Sequence, residues 1–434
     1  MVPRALRDLA GLPCDPHGTS REVSCAVKVS ALVLLAALGS TADADVSLPS
    51  PLRARDVVAL ARSQRAEIAA AKARARAAGQ RPAIVSALED PVVSFSVDHV
   101  PFNGMGMDWS ASFQQSFPLS GIRGHRRRAA EANARREVAE AERVELDVEL
   151  DAVQAFWMLA EARAAAEVTK QQKAVADQLV SAATARYSAN LGTQSDVLRA
   201  QIEVARLGAE QRASVAEVRG AEVMLNTTLA RDAESVVPDL DISISDAPPP
   251  ASDRVARSAQ KRPELRAGRA EIDQAEADVR VMTSMYAPMA MVQTGPAYTM
   301  EAGYGWMAMA GITIPLWRGK LGAGVNEANA MVEMAKADLD GMQRMVEGRA
   351  RGARERVAAA RERYVALRDD IVPRAEQAIA PTLAAYSAGQ VPLVSVVEAA
   401  QALWSSRKEL VMARTELGVA WARLRRASNE EIAP

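Results

Sequence analysis

Methionine is the chemically reactive residue with the most uneven distribution in this chain of 434 residues. Eleven of the 17 methionines lie between Met282 and Met345. Thioethers are soft ligands that suit Cu(I) and Ag(I), so one interpretation is that these methionines line a path that conducts metal ions. Methionine is also a flexible filler of apolar interiors. Because these methionines are scattered in sequence without convergent spacing, the sequence favours packing over a metal site.

Other chemistry has little support in the sequence. The segment 319–324 (GKLGAG) lies between a predicted strand and a predicted helix, as phosphate-binding loops do. Its glycine order differs from the dinucleotide fingerprint, and no Gly-Lys-Ser or Gly-Lys-Thr follows. Zincin and nucleophile-elbow patterns do not occur either. The sequence therefore predicts no catalysis, no bound metal and no cofactor.

The composition favours long helices over a large globular core. Ala, Arg, Glu, Val and Leu dominate, whereas aromatic residues make up only 4% of the chain. The formal net charge is -1, and the charges of both signs are evenly mixed. A basic footprint for nucleic acid is thus missing from the sequence, and no nucleic-acid partner is expected.

The N-terminal segment has the pattern of an export signal. Lys28 precedes an apolar run at 29–38, and the Ala-Asp-Ala at 42–44 resembles a signal-peptidase site. We therefore predict a signal peptide at 1–44. Both cysteines lie within it, so a disulfide framework is not expected in the mature chain. Elsewhere no stretch of 18 apolar residues occurs, and no transmembrane helix is expected.

Two pairs of short segments alternate apolar and small polar residues with a period of two, which predicts strands. The apolar positions are Val93, Phe95, Val97, Trp109, Ala111, Phe113 and Phe117 in the first pair, and Trp306, Ala308, Ala310, Ile312 and Ile314 in the last strand. The third strand, at 289–298, is the weakest prediction because Gly295-Pro296 interrupts it. One apolar face and one polar face is the pattern that a lipid-facing barrel with a wet lumen requires.

The segments 124–187 and 325–371 contain no proline and few glycines, which predicts very long helices. A helix of about 60 residues extends about 90 Å, several times the ~30 Å hydrocarbon core of a bilayer. Such helices are stable in water only when they pack side by side. Short breaks at 188–193 and 387–392 each precede a further helix, of about 35 residues, that must return antiparallel.

The order of these segments occurs twice, about 197 residues apart. Matched positions include Glu67 and Glu264, Pro91 and Pro288, Trp109 and Trp306, and Tyr187 and Tyr386. A repeat this long is not a solenoid unit and indicates two equivalent halves. The predicted organisation is a signal peptide, a first structural repeat, a linker, a second structural repeat and a C-terminal tail, at 1–44, 45–237, 238–252, 253–428 and 429–434.

Four strands cannot close a barrel, and an open sheet edge cannot lie in lipid. Known barrels begin at about eight strands. Several copies must therefore contribute strands to one barrel. The predicted fold is mainly α with a small β part, in which each internally duplicated chain gives four strands to a shared transmembrane β-barrel. Three copies would give a trimeric α-helical barrel with a shared 12-stranded β-barrel.

With this duplicated plan, the sequence resembles the TolC-type outer-membrane factor (outer membrane efflux protein) family over nearly the whole mature chain. The resemblance also rests on the strand end FPLSG at 117–121 and on two hairpin tips, at 187–201 and 386–399. It implies a homotrimeric exit duct in outer-membrane lipid that spans the periplasm and docks onto a periplasmic adaptor and an inner-membrane pump. The strand end and the tip sequence QSDVLRAQ resemble the heavy-metal resistance-nodulation-division branch, which makes heavy-metal ions a candidate substrate.

The resemblance also assigns the tips to closing the tube and docking the adaptor, through Tyr187, Asn190, Gly192, Asp196, Tyr386, Gly389 and Glu398. Asp196 matches the acidic gate position and Tyr386 the gate tyrosine, but the basic gate partner falls at Val391. We therefore expect a weaker ionic latch than in the family, unless Arg186 or Arg199 replaces that partner.

At the constriction of the lumen, the resemblance places the family's upper acid at Ser395 and the lower acid at Glu398. Only the lower carboxylate is therefore present in this sequence. Asn190 takes a family glycine position, and Asn is the next best residue for a left-handed turn.

Trp109 and Trp306 lie at equivalent predicted strand starts, where an aromatic girdle at the membrane surface is expected, although core packing is an alternative. A different class of protein also remains open, namely a periplasmic coiled-coil adaptor or scaffold without a barrel. The two alternating strand pairs argue against that alternative, since a scaffold has no use for them. The sequence thus predicts a non-enzymatic outer-membrane protein that extends into the periplasm.

Overall fold

A computed structural model of the chain describes residues 48–98 and 106–429. The predicted signal peptide, part of the first strand connection and most of the C-terminal tail lie outside the described residues. Six elements of the first half are α1 Ala54–Gln64, α2 Ala66–Ser86, β1 Val92–Val97, β2 Trp109–Pro118, α3 Ile122–Ser188 and α4 Gln194–Thr228. The second half repeats their order with α5 Ser252–Ala259, α6 Pro263–Ser284, β3 Met289–Thr299, β4 Gly303–Thr313, α7 Arg318–Ala366, α8 Val372–Ser387 and α9 Leu393–Ser428.

The long helices are present as predicted. Helix α3 has 67 residues and therefore extends about 100 Å at 1.5 Å per residue. Helix α7 has 49 residues and continues into α8 through a π-helical turn at Leu367–Ile371. Pro373, in the first turn of α8, has no N–H to give to the preceding turn, so the helix widens instead of ending there. No described helix is both long and apolar enough to cross a membrane.

Side-by-side packing holds the long helices, as their length requires. Helix α3 packs against α2, α4, α6 and α9, and α7 packs against α6 and α9. Phe156 and Trp157 of α3 are buried and meet edge to face at 5.5 Å. Trp157 also packs directly on the backbone of α9, since a Cβ at Gly418 would lie 2.2 Å from its ring. Only glycine permits that approach.

The matched residues of the two halves make matched contacts at the starts of α2 and α6. Arg65 donates to both carboxylate oxygens of Glu67, at 2.9 and 2.8 Å. Arg262 likewise donates to both carboxylate oxygens of Glu264, at 3.1 and 2.5 Å. Glu264 accepts a further bond from buried Arg426, at 2.8 Å. The second site is the more buried of the two and carries the larger ion-pair network.

The four strands form one antiparallel sheet in the order β1-β2-β3-β4. The expectation that Gly295-Pro296 weakens β3 was wrong for its pairing with β4, which is continuous across both residues. The interruption affects only the pairing of β3 with β2, which is broken at Ala111 and Ser112 and resumes at Phe113. Pro296 has no N–H to donate, and a Cβ at Gly295 would lie 1.9 Å from the Ala111 carbonyl oxygen. Glycine is therefore required where these two strands approach.

Candidate functional site

The two hairpin tips have the same turn geometry. Asn190 and Gly389 are both left-handed, with φ of 60° and 77°. The N–H of the residue after each of them donates to the carbonyl five residues earlier: Leu191 donates to Arg186 at 2.8 Å, and Gln390 donates to Ala385 at 2.9 Å. This is the Schellman arrangement that ends a helix. The predicted left-handed role of Asn190 is confirmed, and its structural counterpart is Gly389.

The two tip tyrosines have opposite environments although their sequence positions match. Tyr187 is 47% exposed, whereas Tyr386 is 2% exposed in an apolar cluster with Leu179, Leu393 and Val396. Burial raises the pKa of the Tyr386 phenol, and the nearby negative charge of Asp196 adds to that rise. Its hydroxyl has no hydrogen-bond partner within the part of the chain that the structure describes. Tyr386 is thus an anchor of the tip core, and Tyr187 is a surface residue.

Arg186 connects the two tips. Its guanidinium lies 4.8 Å from the centroid of the Tyr386 ring and donates through Nη1 to the Tyr386 carbonyl. Through Nη2 it donates to the carbonyl of Leu191 in its own tip, at 2.9 Å. One charged side chain therefore binds both hairpins, with cation–π and charge-assisted contacts.

The acidic gate position does not form the family's latch within this protomer. Asp196 closes a capping box at the start of α4: its carboxylate accepts from the Thr193 hydroxyl at 2.9 Å, and its N–H donates back at 3.2 Å. No ion pair to Asp196 occurs among residues 48–98 and 106–429. Val391 packs on the tip cluster. Of the two cations considered for pairing with Asp196, Arg186 instead binds the backbone and ring of Tyr386.

The remaining predicted tip residues lie apart from this contact. Glu398 is exposed on the second turn of α9. Gly192 has ordinary backbone φ, and its special feature is close approach, because a Cβ there would lie 3.2 Å from the Arg186 Cβ. The sequence predicts Arg186 only as an alternative partner of Asp196. Its actual partner is Tyr386, 200 residues away, which lies close because α8 packs against the end of α3.

The sheet has one apolar face, which the strand register defines row by row. Each row crosses all four strands, starting with Val97, Trp109, Tyr298 and Tyr304, followed by Phe95, Ala111, Pro296 and Trp306, and then by Val93, Phe113, Thr294 and Ala308. Many of these side chains are exposed in the single chain. The polar member of the third row is satisfied, since Thr294 accepts a hydrogen bond from the Trp306 indole at 2.7 Å. A large exposed apolar surface of this kind marks contact with lipid or protein.

Aromatic rings concentrate at the end of this face farthest from the helices. Trp109 stacks on Phe95 at 6.0 Å and meets Tyr304 edge to face at 6.4 Å. Tyr298 and Tyr304 lie 5.0 Å apart. Trp306 is not at a strand start as expected but is the fourth residue of β4. It lies one row closer to the helices than Trp109, because the register aligns Trp109 through Tyr298 with Tyr304, two residues before Trp306.

The described residues offer little for metal chemistry of the usual kind. No group of three or more His, Cys, Asp or Glu side chains that could hold a metal ion occurs in the described ranges.

Comparison with known proteins agrees with this geometry. Residues 255–430 match the family model described as outer membrane efflux protein. The fold is similar to those of three solved outer-membrane proteins. For the channel OprN the TM-score is 0.76, with 19% identity over 88% of this chain and 91% of OprN. For CusC the TM-score is 0.77, with 14% identity over 87% of this chain and 92% of CusC. For the Campylobacter jejuni channel CmeC the TM-score is 0.75, with 14% identity over 88% of this chain and 86% of CmeC.

No curated protein matches the chain by sequence. The fold is nevertheless that of the outer-membrane channels, mainly helical with one small antiparallel sheet. The match over the second half is to the same class of protein. Residues 255–430 are thus similar to the outer membrane efflux protein family, and the chain has the fold of the outer-membrane channels.

Proposed function

We propose that three copies of this chain form one passive exit duct, which conducts solute across the periplasm and the outer membrane without catalysis. The observation that carries the proposal is the exposed apolar face on an open four-stranded sheet. Strands β1 and β4 each leave one edge unpaired in the single chain. In lipid these edges need partners, because an unpaired backbone group costs several kcal/mol there. Three sheets joined edge to edge give a closed 12-stranded barrel and leave no edge.

The barrel dimensions are compatible with an outer membrane. From Trp109 to Phe117 the apolar face of β2 covers eight residue steps, which is about 27 Å along the strand. A strand tilt of about 40° reduces this to about 20 Å of height, close to the apolar band of known barrels. Trp109 and Trp306 then belong to an aromatic girdle at the outer surface, and the duplicated halves each supply one hairpin to the wall.

The tips lie at the other end of the long helices, and we assign them to the adaptor and the inner-membrane pump. The matched turns at Asn190 and Gly389 support this assignment, because they present two similar hairpin ends to the periplasm. Heavy-metal ions are the candidate substrate, because the FPLSG strand end and the QSDVLRAQ tip resemble the heavy-metal branch. The same duct would also carry other solutes delivered by a pump.

The test of the proposed duct compares two neighbouring residues on opposite faces of β2. Phe113→Lys places a charge in lipid, which costs about 2–4 kcal/mol near the bilayer midplane. Gln114→Lys places the same charge on the inward face. We expect wild type and Gln114→Lys to be recovered from outer membranes as trimers by native mass spectrometry, and Phe113→Lys to be depleted. Recovery of the wild type as a soluble monomer after osmotic shock would refute the proposal.

A further inference from the structure

The strand register turns the scattered methionines of the second hairpin into a regular series. Residues opposite to the apolar face alternate with it along each strand. On β3 and β4 these inward positions include four methionines, Met289, Met291, Met307 and Met309. Each of the four lies in a different row: Met307 pairs with Gly295, Met309 with Gln293, Met291 with Gly311, and Met289 with Thr313. Four consecutive rows therefore hold one thioether each.

The spacing of the methionines in this series suits the transfer of an ion from one thioether to the next. Successive rows are about 7 Å apart, because each step is two residues along a strand. Met307 and Met309 share β4, Met309 and Met291 are diagonal neighbours across the pair, and Met291 and Met289 share β3. Methionine has three rotatable bonds and reaches several ångströms from its Cα. Neighbouring thioethers can thus approach the same ion.

Packing does not explain why these positions hold methionine. Met289 and Met309 are 36% and 46% exposed. The positions 197 residues earlier, in the first hairpin, are Val92, Ser94, Ser110 and Ser112. The same face of the same kind of hairpin therefore forms without thioethers. On that side, Ser112 accepts a hydrogen bond from Gln293 at 2.9 Å and pairs with Ser94 at 2.8 Å, as expected of a wet surface.

The neighbouring residues leave the thioethers accessible. Gly311 faces Met291 across the strand pair, and a Cβ there would lie 3.2 Å from the Met291 methyl group. Gly295 faces Met307. Glycine at 311 leaves room for the long Met291 side chain to lie across the partner strand, whereas the space beside Gly295 is taken by the β2 backbone. The four rows contain no carboxylate, imidazole or thiol, so their soft ligands are the thioethers alone.

We propose that Met289, Met291, Met307 and Met309 form a ladder of weak binding sites for the soft monovalent cations Cu(I) and Ag(I) along the inner wall of the barrel. This methionine ladder rests on the proposed duct, because only a closed trimer turns the inward face into a lumen. Thioethers bind Cu(I) and Ag(I) in preference to hard cations such as Mg²⁺ or Ca²⁺. Several weak sites in series suit conduction, since an ion must enter and also leave.

Ag(I) is the probe for the ladder, because it resembles Cu(I) in softness and does not need a reductant. The test variant replaces all four methionines with leucine, a volume-conserving change that the sheet should tolerate. The matched control replaces three exposed methionines on three different helices, Met158, Met224 and Met412, with leucine. A second test variant, Met291→Ser with Met307→Ser and Met309→Ser, copies the first hairpin. Binding to each detergent-solubilised trimer is measured by equilibrium dialysis with elemental analysis, and block of current is measured in planar bilayers.

Wild type and the helix control should bind Ag(I) and show Ag(I)-dependent block, while Mg²⁺ and Ca²⁺ give neither effect. Both ladder variants should lose the binding and the block but retain their current without Ag(I). Equal Ag(I) binding by wild type and both ladder variants would overturn the ladder. A trimer that carries no current at all, with or without Ag(I), would instead count against the proposed duct, while the dialysis measurement would still decide the ladder.

Discussion

The guanidinium of Arg186 lies over the ring of Tyr386, 4.8 Å from its centroid, and also donates to the Tyr386 carbonyl. This contact joins the end of α3 to the end of α8 within one chain. The family resemblance implied an ionic latch with its cation at the position of Val391. Here Arg186 of the first hairpin makes the link, and its acceptor is the backbone carbonyl of Tyr386, not a carboxylate. We infer that Arg186 resists separation of the two tips.

Replacing Arg186 with alanine should therefore favour the open state of the proposed duct. A hydrogen bond to a charged group contributes about 1.5 kcal/mol or more, which corresponds to about a tenfold change in the opening equilibrium per protomer. Single-channel recording in planar bilayers should show higher mean conductance or longer open times. Asp196→Ala is the matched control: loss of its capping-box contact with Thr193 weakens the start of α4 but should change closed-state conductance little. An equal rise in both variants would show that Asp196 has a latch partner in a neighbouring protomer.

Glu398 should control the cation selectivity of the assembled duct. In a trimer, its exposed carboxylate forms a ring of three negative charges near the tip, and such rings attract cations. Glu398→Gln should shift the reversal potential in a salt gradient toward zero and weaken block by divalent cations. The control is Glu409→Gln, on the same face of α9 three turns away, where a smaller shift is expected. Equal shifts from the two variants would argue against a constriction at Glu398.

The tip glycines should tolerate bulky residues poorly, and the loss should appear in efflux, not in assembly. At Gly389 a side chain would be strained by φ of 77° and would also contact the Arg186 guanidinium. At Gly192 it would contact the Arg186 Cβ. We expect a Gly192→Leu, Gly389→Leu double mutant to form trimers but to lose efflux in a resistance assay.

Two controls accompany the tip double mutant. Gly220→Ala lies in α4 with open space around it, and Asn190→Gly keeps the left-handed turn. Both should preserve efflux. If the double mutant also exports normally, the adaptor docks elsewhere.

Glu264 should contribute more to stability than its sequence counterpart Glu67. Burial alone would raise the pKa of Glu264, but the charges and hydrogen bonds of Arg426 and Arg262 lower it below its ordinary value of 4.5. Because the folded pKa is lowered, the ion pairs stabilise the protein above pH 4.5, and this stabilisation is lost as the pH falls through the folded pKa. Removing one partner of a buried pair costs about 3–5 kcal/mol.

Thermal unfolding of the trimer at pH 7 should thus show a lower Tm for Glu264→Gln than for Glu67→Gln. The Glu67 carboxylate is 56% exposed, against 16% for Glu264, and exposed ion pairs contribute little. The difference between Glu264→Gln and wild type should shrink as the pH is lowered below 4.5, because acid removes the same charge. A pH-independent difference would show that packing, not charge, stabilises this junction.

The sequence by itself determined the elements and their order. Period-two alternation identified the strands, proline-free segments identified α3 and α7, and short breaks identified both tips. These features depend on local periodicity and on backbone limits, which each residue carries with it. The same local reasoning found the left-handed turn at Asn190, because few residues other than glycine adopt that conformation.

Only the tertiary structure decided which residues meet. Arg186 and Tyr386 are 200 residues apart, and nothing local distinguishes Arg186 from other arginines near helix ends. In the sequence, Gly295-Pro296 predicts a break in β3, yet β3 pairs with β4 through both residues. The hydrogen bonds to β4 use the opposite edge of β3 from the interrupted pairing with β2, so they are not affected. The four inward methionines become a series only when the register aligns β3 with β4, since row position depends on both strands together. Register and burial are properties of pairs of segments, and for that reason a single segment cannot specify them.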